Sequence, residues 1–159
     1  MLRRIFRQDP DIIVIGEVRD IQTAELAVRA DLTGHLVFAT LHTNNAVEAI
    51  YRLQDMGIPS YIVSAVLRKV VAQRLSRKIC KKCNLQGCAH CNNTVYYGRT
   101  VVAEILSILQ ELSILISEKA SHKELEKYLI KTKFTSLIED ARHKKDSGVI
   151  SVTEINREI

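Results

Sequence analysis

A chain of 159 residues has room for one full domain or two small ones, which excludes a large multidomain machine. With 47% hydrophobic and 26% charged residues, two prolines and six glycines, it reads as an ordinary globular chain and excludes collagen-like or disordered classes. The net charge is +5, and the longest apolar runs, such as Ile12 to Ile15 and Tyr61 to Leu67, fall well short of the roughly 18 residues needed to cross a bilayer. No signal-like stretch follows Arg3, Arg4 and Arg7, so a soluble cytoplasmic protein is expected.

In chain order, Arg3 to Gln8 reads as the tail of a helix stopped by Asp9-Pro10-Asp11, because proline restricts the residue before it and donates no backbone hydrogen bond. Ile12-Ile13-Val14-Ile15 is a continuous β-branched run, the pattern of a parallel strand covered on both faces. Asp20 is a good N-cap for a helix carrying Ile21, Ala24, Ala27 and Ala30 and ending near Gly34. His35 to Leu41 reads as a second buried strand, with His35 in a packing or hydrogen-bonding role at its start. Asn44 or Asn45 can cap the next helix, whose residues Ala46, Val47, Ala49, Ile50, Leu53 and Met56 share a face before Gly57 and Pro59. Strand, helix, strand, helix predicts a parallel α/β sheet. Val70 to Ile79 and Tyr97 to Ile108 are expected to flank a hairpin tip as strands. Beyond Ser107 the chain turns helical, with capping boxes at Ser121-x-x-Glu124 and Ser136-x-x-Glu139 and an apolar stripe of Leu137, Ile138 and Ala141.

All four cysteines fall in Cys80-x-x-Cys83-x4-Cys88-x-x-Cys91. In a reducing compartment such thiolates bind metal more readily than they pair as disulfides, and two C-x-x-C turns supply the four soft ligands of a closed, structural Zn2+ site. His90 could replace one of them. The tip is also basic. From Met56 to Ala103 there is no Asp or Glu but there are eight Lys and Arg residues, so the rest of the chain is net acidic. This block can attract nucleic acid, anionic lipid or an acidic protein face, or can serve as a solvated surface that offsets thiolate charge.

The strand Ile12 to Ile15 runs into Gly16-Glu17-Val18-Arg19. A carboxylate at the C-terminal end of a parallel strand sits where α/β folds act on a ligand. Glu17 could there orient or deprotonate a water attacking ATP, and Arg19 could neutralise charge on the phosphates. The neighbouring strand ends in Thr40-Leu41-His42-Thr43-Asn44-Asn45, hydrogen-bonding groups able to sense a terminal phosphate at the same sheet edge. The plainer readings are a solvated loop for the first segment and a helix cap for the second.

These segments carry a resemblance. Leu2 to Asp20 resembles the Walker B region of the type II secretion and type IV pilus assembly ATPases, and Leu32 to Asn44 resembles their histidine box. Ala72-Gln73-Arg74-Leu75, the four cysteines, Gly98-Arg99-Thr100 and Glu104 are similar to the family's C-terminal zinc-bearing region. The resemblance implies a partial RecA-like parallel sheet over residues 1–75, a zinc-bearing hairpin over 76–107 and a small helical subdomain over 108–159. It implies Glu17, Arg19 and His42 as catalytic residues, Thr40 and Thr43 as nucleotide contacts and Cys80, Cys83, Cys88 and Cys91 as metal ligands. The parent it implies is a cytoplasmic homo-hexamer, peripheral to the inner membrane through secretion or pilus platform proteins. That parent would use ATP and Mg2+ to drive type II secretion, pilus or competence pseudopilus assembly. One departure matters: no glycine here is followed by Lys, so the phosphate-binding loop G-x-x-x-x-G-K-[ST] is missing. The chain therefore reads as half an ATPase domain plus its C-terminal region. The alternative is a non-catalytic zinc module that contacts nucleic acid or an acidic partner. Nucleic acid is not expected, since only Tyr96 and Tyr97 lie near the basic block and stacking platforms need several aromatics.

Overall fold

The computed structural model describes residues 10–158. The helix expected over Arg3 to Gln8 lies outside them. The described chain divides into two compact units: residues up to Val70 with Leu106–Lys133, and Val71–Ile105 with the segment from Phe134 onward.

In the first unit β1 (Ile12–Ile15) pairs in parallel with β2 (Leu36–Ala39), Ile12 opposite Leu36 and Ile15 opposite Ala39. Their connection is α1 (Ile21–Leu32), capped by the Asp20 carboxylate, which accepts from the Thr23 amide at 2.8 Å. That backbone bond holds the Asp20 carboxyl below its usual range. The second strand is shorter than the expected His35 to Leu41, and His35 directly precedes it in the expected hydrogen-bonding role, its Nδ1 lying 3.0 Å from the Ala30 carbonyl.

The expectation of strands covered on both faces needs correction. Ile13 and Ile15 are buried, but Ile12 and Val14 are 56% and 73% exposed, and Leu36 and Phe38 opposite them are exposed too. A β-branched run specifies strand and a wish for burial; it does not supply the layer that would cover the second face.

The chain continues through α2 (Ala46–Asp55) and α3 (Ser60–Val66), then α4 (Gln110–Ser117) and α5 (His122–Lys131) complete the unit. Asn45 is the cap of α2. The seven-residue α3 was not anticipated, because Ser-Tyr-Ile-Val-Ser-Ala-Val is apolar nearly throughout and too short to show a helical period. It packs on α4, where Ser113 Oγ donates to the Ser64 carbonyl at 3.1 Å. Val63, Leu112 and Ile116 are almost fully buried in the core.

The second unit is built on most of β3 (Lys69–Ile79) and β4 (Tyr96–Ser107), which form a two-stranded sheet and flank the cysteine loop as expected. The Cys80 amide bonds to the Val95 carbonyl at 2.9 Å where the loop opens. On this sheet lie α6 (Leu137–Asp146) and α7 (Val152–Glu158). Both expected capping boxes are present, at Ser121 with Glu124 and Ser136 with Glu139. The buried Glu104 carboxylate accepts the Leu137 amide at 2.9 Å, and Asp140 accepts the Ala103 amide at 2.9 Å, so side chains of strand and helix cap each other's backbone. Leu137 and Ala141 are buried in the stripe, whereas Ile138 is exposed. The helices after Ser107 thus divide between the units, α4 and α5 with the parallel sheet and α6 and α7 with the hairpin.

Among the described residues the most buried charge is Glu154, with no exposed side-chain surface. It accepts from the Arg77 amide at 2.8 Å and from Arg77 Nε and Nη2 at 3.1 and 2.6 Å. The Arg77 hydrogen bond outweighs burial and holds the Glu154 carboxyl below its ordinary range. Its contribution to stability is therefore complete above the ordinary glutamate range and lost as pH falls through the lowered value. Replacing Glu154 by Ala is expected to destabilise the second unit by about 3 kcal/mol, the lower end for a buried pair because Arg77 keeps access to water. Urea unfolding monitored on that unit checks this; a change below about 1 kcal/mol would show that the pair is energetically neutral.

Candidate active site and metal centre

Strand β1 ends at Ile15 and strand β2 at Ala39, so the parallel register brings the segments that follow them side by side. Two bonds tie these strand ends. The Val18 amide donates to the Thr40 carbonyl at 2.9 Å, and the Thr40 hydroxyl donates to the Gly16 carbonyl. Between those clamps Glu17 is largely buried, with 20% of its side chain exposed. One carboxylate oxygen meets His42 Nε2 at 2.6 Å, and the other accepts from Arg19 Nε. Both partners are mostly exposed, so a semi-buried carboxylate is bracketed by two groups free to turn toward solvent.

Glu17, Arg19, His42 and Thr40 are therefore brought together, Thr40 through the backbone. Thr43 is half-buried and joins none of these contacts. A residue the sequence reading passed over fixes the loop that carries His42. Glu48 accepts the Asn44 amide at 2.8 Å, and its own amide donates to Asn45 Oδ1 at 2.8 Å. The signal was present as Asn45-x-x-Glu48, the capping-box spacing with Asn in place of Ser or Thr.

In the second unit the four cysteine Sγ atoms lie within 4.8 Å of one another. Individual separations are 3.9 Å for Cys80 to Cys88 and 3.7 Å for Cys83 to Cys91 and for Cys88 to Cys91. The two C-x-x-C turns build this. Amides of Cys83 and Asn84 bond to the Cys80 carbonyl, and amides of Cys91 and Asn93 bond to the Cys88 carbonyl, so each turn folds its pair of thiols inward. Burial pushes the Cys83 thiol up to about 11. At Cys91 burial acts in the same direction, but hydrogen bonds from Cys88 and its neighbours overcome it and hold the thiol down to about 7. Cys80, Cys83 and Cys91 are buried and Cys88 is half-buried, leaving a closed, sulfur-only cluster that can hold a metal ion. His90 stays outside it, exposed, with its ring 4.0 Å from that of Tyr97.

The model of the family described as type II/IV secretion system protein matches residues 1–157. The chain belongs to this family. Its relatives include the type II secretion system protein HxcR of Pseudomonas aeruginosa, 43% identical over 98% of this chain and 35% of that protein. The type II secretion system ATPase E of Vibrio cholerae is 39% identical over 98% of this chain and 36% of its own. Among solved structures the family likeness extends to the pilus retraction motor PilT with bound ADP, at a TM-score of 0.78 and 30% identity over 98% of this chain and 41% of that one. The chain thus spans about a third of the length of the curated relatives it matches. Among the described residues no helix is long and apolar enough to cross a membrane.

Proposed function

We propose that this chain is the C-terminal portion of an ATPase that powers type II secretion or pilus assembly, competence pseudopili included. The observation that carries the reading is the convergence of Glu17, Arg19 and His42 at the ends of two adjacent parallel strands. Glu17 is the general base: once an oxygen is released from its present partners, it can take a proton from water attacking the terminal phosphate of ATP. Arg19 and His42 are the groups that turn, exchanging a carboxylate for phosphate oxygens. Thr40 holds the two strand ends in register, and Thr43, on the loop that follows β2, offers a further hydroxyl for nucleotide. Mg2+, when bound with ATP, neutralises phosphate charge. The chain carries no phosphate cradle, so the positioning of both belongs to other segments of a longer protein. That protein acts as a cytoplasmic homo-hexamer, peripheral to the inner membrane through platform proteins. Residues 1–75, 76–107 and 108–159 supply its sheet, metal hairpin and helical parts.

We assign Zn2+ to the cysteine cluster. A tetrahedron of thiolates at the usual zinc–sulfur distance of about 2.3 Å has sulfur–sulfur edges of about 3.8 Å. Three of the six observed separations, at 3.7 to 3.9 Å, match those edges, and all four sulfurs lie within 4.8 Å of one another. Four protein ligands leave no open position, so the ion would be structural, held by Cys80, Cys83, Cys88 and Cys91. Elemental analysis of the reduced protein is expected to give one zinc per chain, and four thiols reacting at full speed without chelator would remove the assignment. Phosphate release tests the wider reading. The chain alone is expected to show no turnover above background, and a longer protein with the phosphate-binding loop is expected to be active. Robust turnover by the chain alone would place the nucleotide site elsewhere.

A further inference from the structure

The hairpin of the second unit carries a cleft of about 250 Å³ that the proposed catalytic and metal sites do not use. It is lined by Arg77, Thr94, Tyr96, Gly98 and Arg99. Its wall is built and fixed. Arg77 is held by its three bonds to the fully buried Glu154, and its guanidinium carbon sits 4.3 Å from the centre of the Tyr96 ring. Tyr96 is anchored in turn, its hydroxyl 2.8 Å from Ser151 Oγ. At Gly98 the backbone takes φ +72°, and a Cβ there would come 3.2 Å from Lys78 Cε. The same Cβ would lie 3.7 Å from the Lys78 ammonium, which sits next to Gly98 and outside the lining of the cleft.

The charge of this cleft is one-sided. Glu154 is matched to Arg77, while Arg99 and Lys78 make no ion pair among the described residues. No Asp or Glu occurs in the sequence from Met56 to Ala103 to offset them. At a volume below the roughly 300–1,000 Å³ typical of small-molecule sites, the cleft suits a single side chain. A concave wall with an aromatic side, Arg99 in its lining and Lys78 next to Gly98 fits a carboxylate on a short aliphatic stem. A bilayer surface is flat and would not enter it.

We propose that this cleft docks a Glu or Asp side chain from an acidic segment of a partner protein, with Arg99 and Lys78 as the recognising cations and the Arg77–Tyr96 stack as the wall. This is independent of the ATPase reading, because it uses no residue of that site. The test is a fluorescence-anisotropy titration of the metal-loaded chain with a labelled Glu/Gly peptide and with its Gln/Gly counterpart. Saturable binding of the Glu peptide alone is expected, weakening at higher salt as ion pairing requires. Arg99→Gln is expected to weaken it about tenfold, Arg99→Lys to restore most of that loss, and Lys78→Gln to weaken it about threefold. Lys82→Gln, which alters the same basic block outside the cleft, should stay within about twofold of the parent chain. Metal content and circular dichroism establish that each variant is folded, and Lys78→Gln carries the test if Arg99→Gln is not. Failure to bind the Glu peptide, equal binding of the Gln peptide, or an equal loss from Lys82→Gln would overturn the proposal. So would Arg99-dependent binding to phosphatidylglycerol vesicles in place of the peptide.

Discussion

Replacing Glu17 by Gln in a longer protein that contains both this chain and a phosphate-binding loop is expected to lower ATP turnover by about 100-fold or more. The substitution keeps the shape of the side chain and its place between the strands, since the clamps at Val18 and Thr40 are backbone-centred and do not involve the carboxylate. It removes the proton acceptor. Nucleotide affinity should stay within a few-fold, because phosphate binding by backbone amides and lysine lies outside this chain. His42→Ala should do less, about tenfold, as it removes one partner of the carboxylate without removing the base. Steady-state phosphate release paired with equilibrium nucleotide binding separates the two effects. Unchanged turnover on Glu17→Gln would take the general-base role from this residue. A parallel loss of binding would instead assign Glu17 to holding the nucleotide complex.

The parts of this site legible in the sequence were those set by local rules. Asp20, Ser121 and Ser136 announced their helices because a cap needs only one side chain and an amide three residues away. The cysteine cluster was legible because a C-x-x-C turn brings its two thiols together whatever surrounds it. Glu17 and His42 could be placed at one sheet edge from strand order alone, although their 2.6 Å contact could not. What escaped was settled over long separations. Arg77 and Glu154 are 77 residues apart, and nothing near Glu154 marks it as the acid that a strand arginine will require. The division of the C-terminal helices between two units likewise depends on which apolar stripe finds which sheet. The exposed faces of Ile12, Val14, Leu36 and Phe38 show the same limit, because a hydrophobic run states a demand for burial and leaves the covering layer unspecified.

Removing the metal is expected to open the cysteine loop locally and leave the first unit folded. Between Cys80 and Val95 the buried apolar cluster consists of Cys80, Cys83 and Cys91 with Cys88 packed against it, so no separate hydrophobic core holds the loop without the ion. The backbone there is also strained. Asn84, Leu85, Asn92, Asn93 and Val95 all have positive φ, a conformation that costs of order 1 kcal/mol each and persists only while surrounding interactions enforce it. Structural zinc supplies about 10–16 kcal/mol of apparent binding energy in small folded sites, ample to hold such a loop. Once the ion is chelated nothing offsets this strain, and the amides of Cys83, Asn84, Gln86 and Cys91 to Thr94 should lose hydrogen-exchange protection by about 100-fold or more. The strands should loosen outward from the tip across Val70 to Thr100, resisted in the second unit by the Arg77–Glu154 pair and by the Glu104 and Asp140 caps. Amides of α1 and α2, whose caps and packing lie wholly in the first unit, should exchange at unchanged rates. Uniform deprotection of the whole chain would make the metal centre a condition of global folding, and full retention of protection at the tip would mean that the loop is held by its turn hydrogen bonds alone.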